Sequence, residues 1–184
     1  MRILDQELHC WRAIVPPMAT LHFIAGKAGA GKTTLARQLG RELPAIVICE
    51  DEWLLQISDP ISSLDDYLKA SRRLRNALSP HVVQLLRLGN DVVFDLGASN
   101  TRHGRAWVRK VFEAAGADHV LHYIPADDVT CLARVRQRNE SQPAGVFFGV
   151  VAEALVIEVN KHVAPPLPDE GFTIVVHAAD GATP

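Results

Sequence analysis

The residues with the clearest chemical meaning form a glycine-rich run near the start of the chain. It reads Gly26-Lys27-Ala28-Gly29-Ala30-Gly31-Lys32-Thr33-Thr34 and matches the pattern G-x-x-x-x-G-K-[ST] in full. Glycine permits the backbone conformations that turn several N–H groups toward one bound phosphate. Lys32 would add an ammonium group at the β- and γ-phosphates, and Thr33 a hydroxyl for Mg²⁺. The whole run is therefore predicted to bind a nucleoside triphosphate.

A carboxylate closes an apolar run further along the chain. The run reads Val92-Val93-Phe94-Asp95. Ligands of parallel α/β sheets lie at the carboxyl ends of the strands, and Mg²⁺ prefers oxygen ligands. Asp95 is therefore predicted to hold Mg²⁺ together with Thr33. A helix cap or a turn is the alternative role for Asp95.

Three acidic residues, Glu50, Asp51 and Glu52, follow a second apolar run. A carboxylate placed across from the γ-phosphate can orient a hydroxyl and accept its proton. If the strand continued that far, successive side chains would point to opposite faces of the sheet. Asp51 would then point away from Glu50 and Glu52. A solvated acidic turn is the alternative interpretation.

The elements that must position these residues follow from the alternation of short apolar runs with helical periodicity. Strands are predicted at 21–25, 45–49, 92–95, 120–124 and 172–176, and helices at 32–43, 63–88, 105–115 and 127–139. Strands that are apolar almost throughout belong to parallel sheets with both faces covered. We expect a three-layer α/β sandwich with a mostly parallel five-stranded sheet, a helical substrate cap at 60–80 and a lid at 140–163.

Length, charge and composition limit the classes of protein to which this chain can belong. The length of 184 residues suits one domain, predicted at 20–184, which follows a peripheral N-terminal extension at 1–19. A net charge of −2 supplies no polybasic field, which disfavours a nucleic-acid partner. No apolar run reaches the roughly 18 residues that cross a bilayer. The odd set Cys10, Cys49 and Cys131 predicts reduced thiols, and a cytoplasmic location is expected. The oligomeric state is left open.

Several motifs together resemble a group of P-loop kinases. They are the glycine run, Asp51-Glu52-Trp53-Leu54, Asp95-Leu96-Gly97, Cys131-Leu132-Ala133-Arg134 and Arg138-Asn139. The chain from about Leu21 onward is similar to AAA_33 proteins, zeta-toxin kinases, chloramphenicol phosphotransferases and polynucleotide kinase 5′ domains. The resemblance implies a P-loop NTPase fold with ATP and Mg²⁺ as cofactors. It also makes Asp51 the general base.

The resemblance also bears on the arginines and on the acceptor. Arg134 and Arg138 lie four residues apart, share a helix face and are predicted lid arginines, with ordinary surface charges as the alternative. Gln142 stands about where polynucleotide kinases of this group carry a further lid arginine. Polynucleotide kinases place a basic residue three positions after the catalytic Asp, whereas this chain has Leu54. A nucleic-acid acceptor is therefore disfavoured.

The function expected from these features is transfer of the γ-phosphoryl group of ATP, with Mg²⁺, to a hydroxyl of a small molecule. One alternative is a polynucleotide 5′-kinase or a toxin-type nucleotide-sugar kinase. Another is an accessory ATPase or nucleotide switch that makes no phosphorylated product.

Other polar residues suit helix caps and the surface. Asn100 or Thr101 is predicted to cap the helix that follows, and Arg102 either reaches the sheet edge or stays at the surface. The arginines of the run 72–75 are interpreted as a solvated helix face, with anion binding as the alternative. His119 and His122 should lie on opposite faces of one strand.

Overall fold

The computed structural model describes residues 18–59, 61 and 63–178, in which five strands form one sheet. They are β1 (Thr20–Ala25), β2 (Ile46–Cys49), β3 (Val92–Asp95), β4 (Asp118–Tyr123) and β5 (Ile174–Val176). The strand order is β2-β3-β1-β4-β5, and each of the four pairings is parallel. The predicted parallel five-stranded sheet is confirmed, with shifts at the strand ends.

Helices follow the strands in turn. They are α1 (Lys32–Glu42), α2 (Glu50–Ile57), α3 (Leu64–Arg87), α4 (Arg102–Ala115), α5 (Asp128–Ser141) and α6 (Glu153–Asn160), with 3₁₀ turns at Gly97–Asn100 and Pro168–Glu170. The four predicted helices correspond to α1, α3, α4 and α5. Most of the segment expected as a substrate cap belongs to the long helix α3.

Helix α2 corrects the sequence interpretation of the acidic triplet. The chain turns into a helix directly after β2, with Cys49 in an extended conformation at the N-cap. Three carboxylates in the first turn suit the positive end of the helix dipole. Strand alternation therefore does not apply to these residues, which are separated instead by about 100° of helical rotation each.

Apolar side chains cover both faces of the sheet. On one face Phe23 and Phe94 pack with Val82 of α3 and Val108 of α4. On the other face Ile24 and Val93 pack with Ala36 of α1 and Cys131 of α5. Burying one such large side chain is worth about 1.5–3 kcal/mol, so the two clusters hold the layers together. The predicted three-layer architecture is confirmed.

The expected extension at 1–19 lies outside the described residues except for Met18 and Ala19. The division into an extension and one domain thus stays a prediction. Within the described ranges, none of the helices has the length and apolar character needed to span a membrane.

Candidate active site

The loop between β1 and α1 forms a backbone cradle at the carboxyl end of the sheet. Gly29 and Gly31 have φ values of 88° and 106°, in the left-handed region that other residues rarely adopt. A Cβ atom on Gly29 would also collide with the backbone carbonyl of Cys131 at the start of α5. These two glycines are thus required by the shape of the loop and by its contact with α5.

Two buried asparagines fix the backbone of this cradle. Asn100 Oδ1 accepts a 2.9 Å hydrogen bond from the amide of Gly26, and Asn160 Oδ1 accepts one of 2.8 Å from the amide of Ala28. Gly29 and Gly31 line the adjoining cleft, and no acceptor among the described residues pairs with their amides. The first N–H groups of α1 likewise lack intrahelical partners. This end of the cleft therefore suits an anion.

The two lysines of the loop differ in direction. Lys32 lines the cleft, where its Nζ donates hydrogen bonds of 2.9 Å to the carbonyls of Gly26 and Lys27. Lys27 Nζ instead forms a 2.8 Å ion pair with Asp128 on α5. Of the two side chains, that of Lys32 alone is available to a phosphate in the cleft. Lys27 could contact the phosphate only through its backbone.

Thr33 and Asp95 bring two oxygen donors together beside the cradle. The Thr33 hydroxyl donates a 2.6 Å hydrogen bond to Asp95 Oδ2, which also lies 3.5 Å from the thiol of Cys49. Mg²⁺ in nucleotide sites takes one or two protein oxygens and completes its shell with phosphate and water. The pair therefore fits a magnesium ion.

The three acidic residues at the start of α2 have three different environments. Glu50 is 1% exposed and accepts hydrogen bonds from Tyr67 Oη at 2.6 Å, from the amide of Gly97 at 2.7 Å and from Ser71 Oγ. Glu52 forms an ion pair with Arg37 of α1. Asp51 lines the cleft and stays accessible to its solvent.

The electrostatics of Asp51 are unusual for an aspartate. Partial loss of hydration at the edge of the sheet raises its pKa to about 6. The charges of Asp95 and Glu50 raise the pKa further, whereas Lys32 and Arg138 oppose the shift. A carboxylate with this pKa accepts a proton more readily than an ordinary one.

The arginines of α5 divide between the cleft and the surface. Arg134 and Arg138 both line the cleft, and Arg134 Nη1 donates a 3.2 Å hydrogen bond to the carbonyl of Ala30. Nε of Arg138 is buried without a partner among the described residues. Arg136 points elsewhere, and its guanidinium donates hydrogen bonds to both carboxylate oxygens of Glu153 on α6. The predicted pair of arginines is thus brought to the cleft.

Sequence reasoning missed the residues that hold the loop from behind. The capping role proposed for Asn100 or Thr101 falls to Thr101, which accepts a 3.0 Å hydrogen bond from the amide of Gly104. Asn100 holds the loop instead, and its carbonyl accepts a 2.8 Å hydrogen bond from the amide of Ala164. Nothing in the local sequence around Asn160 indicated its contact with the loop.

A buried ion pair supports this region. The guanidinium of Arg105 is fully buried and binds both oxygens of Glu170 at 2.7 Å. Arg105 also donates a 2.8 Å hydrogen bond to the carbonyl of Ala164. Arg102 takes the surface alternative, since it pairs with Asp169 at 2.7 Å where both side chains are exposed.

Other polar groups lie away from the cleft. Arg72 and Arg73 are exposed, and Arg75 stacks over the ring of Trp107 at 5.4 Å. His119 stacks on Phe112, whereas His122 is on the opposite face, as predicted. There, hydrogen bonds of 3.1 and 2.8 Å join its ring to His22 and His177.

Comparisons with known proteins agree with this geometry. The model of the AAA_33 family, described as an AAA domain, matches residues 21–155. The search of curated proteins returns no match. Among solved structures, the Mycobacterium tuberculosis APS kinase CysC, in complex with AMPPNP and APS, is similar at 23% identity and a TM-score of 0.56. That match covers 88% of this chain and 90% of the kinase.

Two further solved structures have the same fold. A gluconokinase from Sinorhizobium meliloti has 14% identity and a TM-score of 0.54, with 92% of this chain and 86% of that one covered. Kti12 of Chaetomium thermophilum, in complex with ADP-AlF3, has 16% identity and a TM-score of 0.63, over 86% and 88% of the two chains. The glycine loop, the parallel sheet and the family match lead to one conclusion: the chain belongs to the AAA_33 family and has the fold of the P-loop kinases.

Proposed function

We propose that the protein is an ATP- and Mg²⁺-dependent phosphotransferase that moves the γ-phosphoryl group to a hydroxyl of a small molecule. One observation carries this proposal. Asp51, with its raised pKa, lines the same cleft as the glycine loop and the Thr33–Asp95 pair. A base, a phosphate cradle and a metal site in one cleft are the parts that phosphoryl transfer to an alcohol requires.

Each part has a defined role in the proposal. The loop amides and Lys32 hold the β- and γ-phosphates, since Lys32 exchanges its loop carbonyls for phosphate oxygens. Thr33 and Asp95 would hold Mg²⁺, which when bound would neutralise charge on the phosphates. Arg134 and Arg138 stabilise the charge that develops on the transferred group.

Asp51 acts on the acceptor. It accepts a hydrogen bond from the acceptor hydroxyl and so aims that oxygen at the γ-phosphorus. As the new O–P bond forms, the bond between the γ-phosphorus and the β–γ bridging oxygen breaks, and ADP leaves. The hydroxyl proton passes to Asp51. A carboxylate of pKa about 6 is largely ionised at neutral pH and ready to accept that proton.

Charge and burial favour a small-molecule acceptor over a nucleic-acid end. The net charge is −2. Leu54, which stands where polynucleotide kinases carry a basic residue, is 3% exposed and packs into the core. A cytoplasmic location remains part of the proposal, and the buried free thiols of Cys49 and Cys131 are compatible with a reducing compartment.

The test is a transfer screen with ATP labelled at the γ-phosphate. Small alcohols and nucleic acids with 5′-hydroxyl ends are offered as acceptors, each to wild type, Asp51→Asn and Glu52→Gln. We expect the wild-type protein to transfer label to small alcohols. This transfer should be lost in Asp51→Asn and retained in Glu52→Gln. Label on nucleic-acid ends would instead indicate a polynucleotide kinase. Release of free phosphate without any labelled acceptor would indicate an accessory ATPase.

A further inference from the structure

The cleft has room for more than a nucleotide. Its volume is about 980 Å³, at the upper end of the roughly 300–1,000 Å³ found for small-molecule sites. The phosphate cradle occupies one end, and the lining continues past Asp51 along α2. The wall beside Asp51 is therefore where an acceptor would lie.

That wall is mainly aliphatic. Asp51, Leu54, Leu55 and Ser58 follow one another at helical spacing and all line the cleft. Ile61 extends the same wall. Leu55 is 57% exposed and packs against little protein, so it offers apolar surface to a ligand. The proposed base is thus flanked by leucine side chains.

A second part of the lining, from the segment between α5 and α6, is similar. Val146, Phe148 and Val150 line the cleft there, and Val150 is 72% exposed. Asn139 fixes this segment, since its side chain exchanges hydrogen bonds of 2.9 and 3.3 Å with the backbone of Val151. Two separate segments therefore contribute apolar side chains to the cleft.

The charged groups of the lining are distributed unevenly. Among the described residues, its only cations are Lys32, Arg134 and Arg138. Lys32 and Arg134 bind loop carbonyls at the phosphate end, and the charge of Arg138 acts on Asp51. Helix α2 and the residues just after it add only negative charge to the lining, from Glu50, Asp51 and Asp59. Four carboxylates line the cleft, on Glu50, Asp51, Asp59 and Asp95, and they outnumber its three cations. An anionic acceptor would add to this excess of negative charge, which is costly in a partly desolvated site.

We propose that the acceptor is an uncharged alcohol with an apolar body, seated against Leu55 and Ile61, with its hydroxyl at Asp51. This inference rests on the proposed function, because it places the acceptor beside the proposed base. It excludes sugar phosphates, nucleotides and carboxylates as preferred acceptors.

Binding and transfer are measured separately, so that the two proposals can fail separately. The wild-type protein is saturated with Mg²⁺ and a nonhydrolysable ATP analogue. It is then titrated by calorimetry with pairs of alcohols that differ only in carrying a methyl group or a carboxylate at the same position. One such pair is 4-methylbenzyl alcohol and 4-(hydroxymethyl)benzoate. We expect the neutral member of at least one pair to bind at least about tenfold more tightly. Equal or tighter binding of the anions, or no binding by any neutral alcohol, would overturn the inference.

Two matched variants locate the effect. Leu55→Arg places a cation beside Asp51 at an exposed position. Leu68→Arg places the same cation on α3, at a leucine that is 52% exposed and does not line the cleft. We expect Leu55→Arg to narrow the preference for neutral alcohols at least about tenfold, and Leu68→Arg to leave it unchanged. An unchanged preference in Leu55→Arg would show that the ligand lies elsewhere and would overturn the inference.

Transfer from labelled ATP to the same alcohols tests the proposed function independently. Tight, selective binding of neutral alcohols without phosphorylation would refute the proposed kinase activity but support the proposed apolar site. Phosphorylation that prefers the carboxylates would support the kinase and overturn the apolar acceptor site.

Discussion

The hydroxyl of Thr33 donates a 2.6 Å hydrogen bond to Oδ2 of Asp95, across 62 residues of sequence. Thr33 lies in the first turn of α1, the helix after β1, and Asp95 ends the neighbouring strand β3. The contact joins the phosphate cradle to the acidic edge of the sheet, and it brings together the two side chains proposed to hold Mg²⁺.

The first prediction concerns this pair. Thr33→Val removes the hydroxyl while preserving the shape of the side chain, so we expect ATP binding to require at least about tenfold more Mg²⁺. ATP affinity measured by calorimetry over a magnesium titration checks this. Binding in the absence of metal should change little and is the internal control. An unchanged magnesium midpoint would contradict a role of Thr33 as a ligand.

Lys32→Ala should remove most nucleotide binding. Lys32 is the loop cation directed into the cleft, and charge-assisted contacts to phosphate are among the stronger polar interactions. We expect the Kd for ATP to rise at least about 100-fold in fluorescence or calorimetric titrations. Lys69→Ala, which removes an exposed lysine of α3, is the matched control. Wild-type affinity in Lys32→Ala would refute the assignment of the loop.

Asp51→Asn should separate binding from chemistry. The amide preserves size but cannot accept the proton, so we expect single-turnover transfer to fall more than about 100-fold with ATP affinity nearly unchanged. Glu52→Gln removes a neighbouring carboxylate that pairs with Arg37, and it should retain most activity. Rapid transfer by the Asn variant would exclude Asp51 as an essential base.

The raised pKa of Asp51 predicts an acid limb in the pH profile. With a pKa of about 6, the carboxylate form decreases about tenfold for each pH unit below that value. We expect kcat/KM to rise with pH up to about 6 and then to level off, because this parameter reports the free enzyme. The residual activity of Asp51→Asn should lack this limb. A wild-type profile that is flat through this range would count against the assignment.

The three joined histidines predict that acid destabilises the fold. Burial, followed by the charges of His22 and His177, lowers the pKa of His122 to about 3 in the folded state. The unfolded chain therefore binds more protons between about 3 and 6.5, so the free energy of unfolding decreases as the pH falls below about 6.5. A fully titrating histidine contributes about 1.4 kcal/mol per pH unit.

His122→Gln isolates this contribution, because glutamine does not titrate. Urea unfolding of wild type and variant between about pH 7 and about pH 5 should give a steeper loss in wild type. The raised pKa of Asp51 acts with the opposite sign but is common to both proteins, so it cancels in the comparison. Parallel slopes would show that His122 is not held neutral.

The amino-acid sequence by itself determined the local parts of this protein. The glycine loop is a contiguous pattern. Short apolar runs reveal the strands, and the acid that closes one of them gives the place of Asp95. Periodicity gave four helices and put Arg134 and Arg138 on one face. These features depend on neighbours in the sequence, and so they could be predicted from it.

Tertiary structure decided which side chains meet. The start of α2 directly after β2 sets the helical phase that sends Glu50 into the core, Glu52 to Arg37 and Asp51 to the cleft. Asn160 reaches Ala28 across 132 residues. Such contacts arise when the elements pack, because burial selects partners by proximity in space, and no local pattern records that proximity.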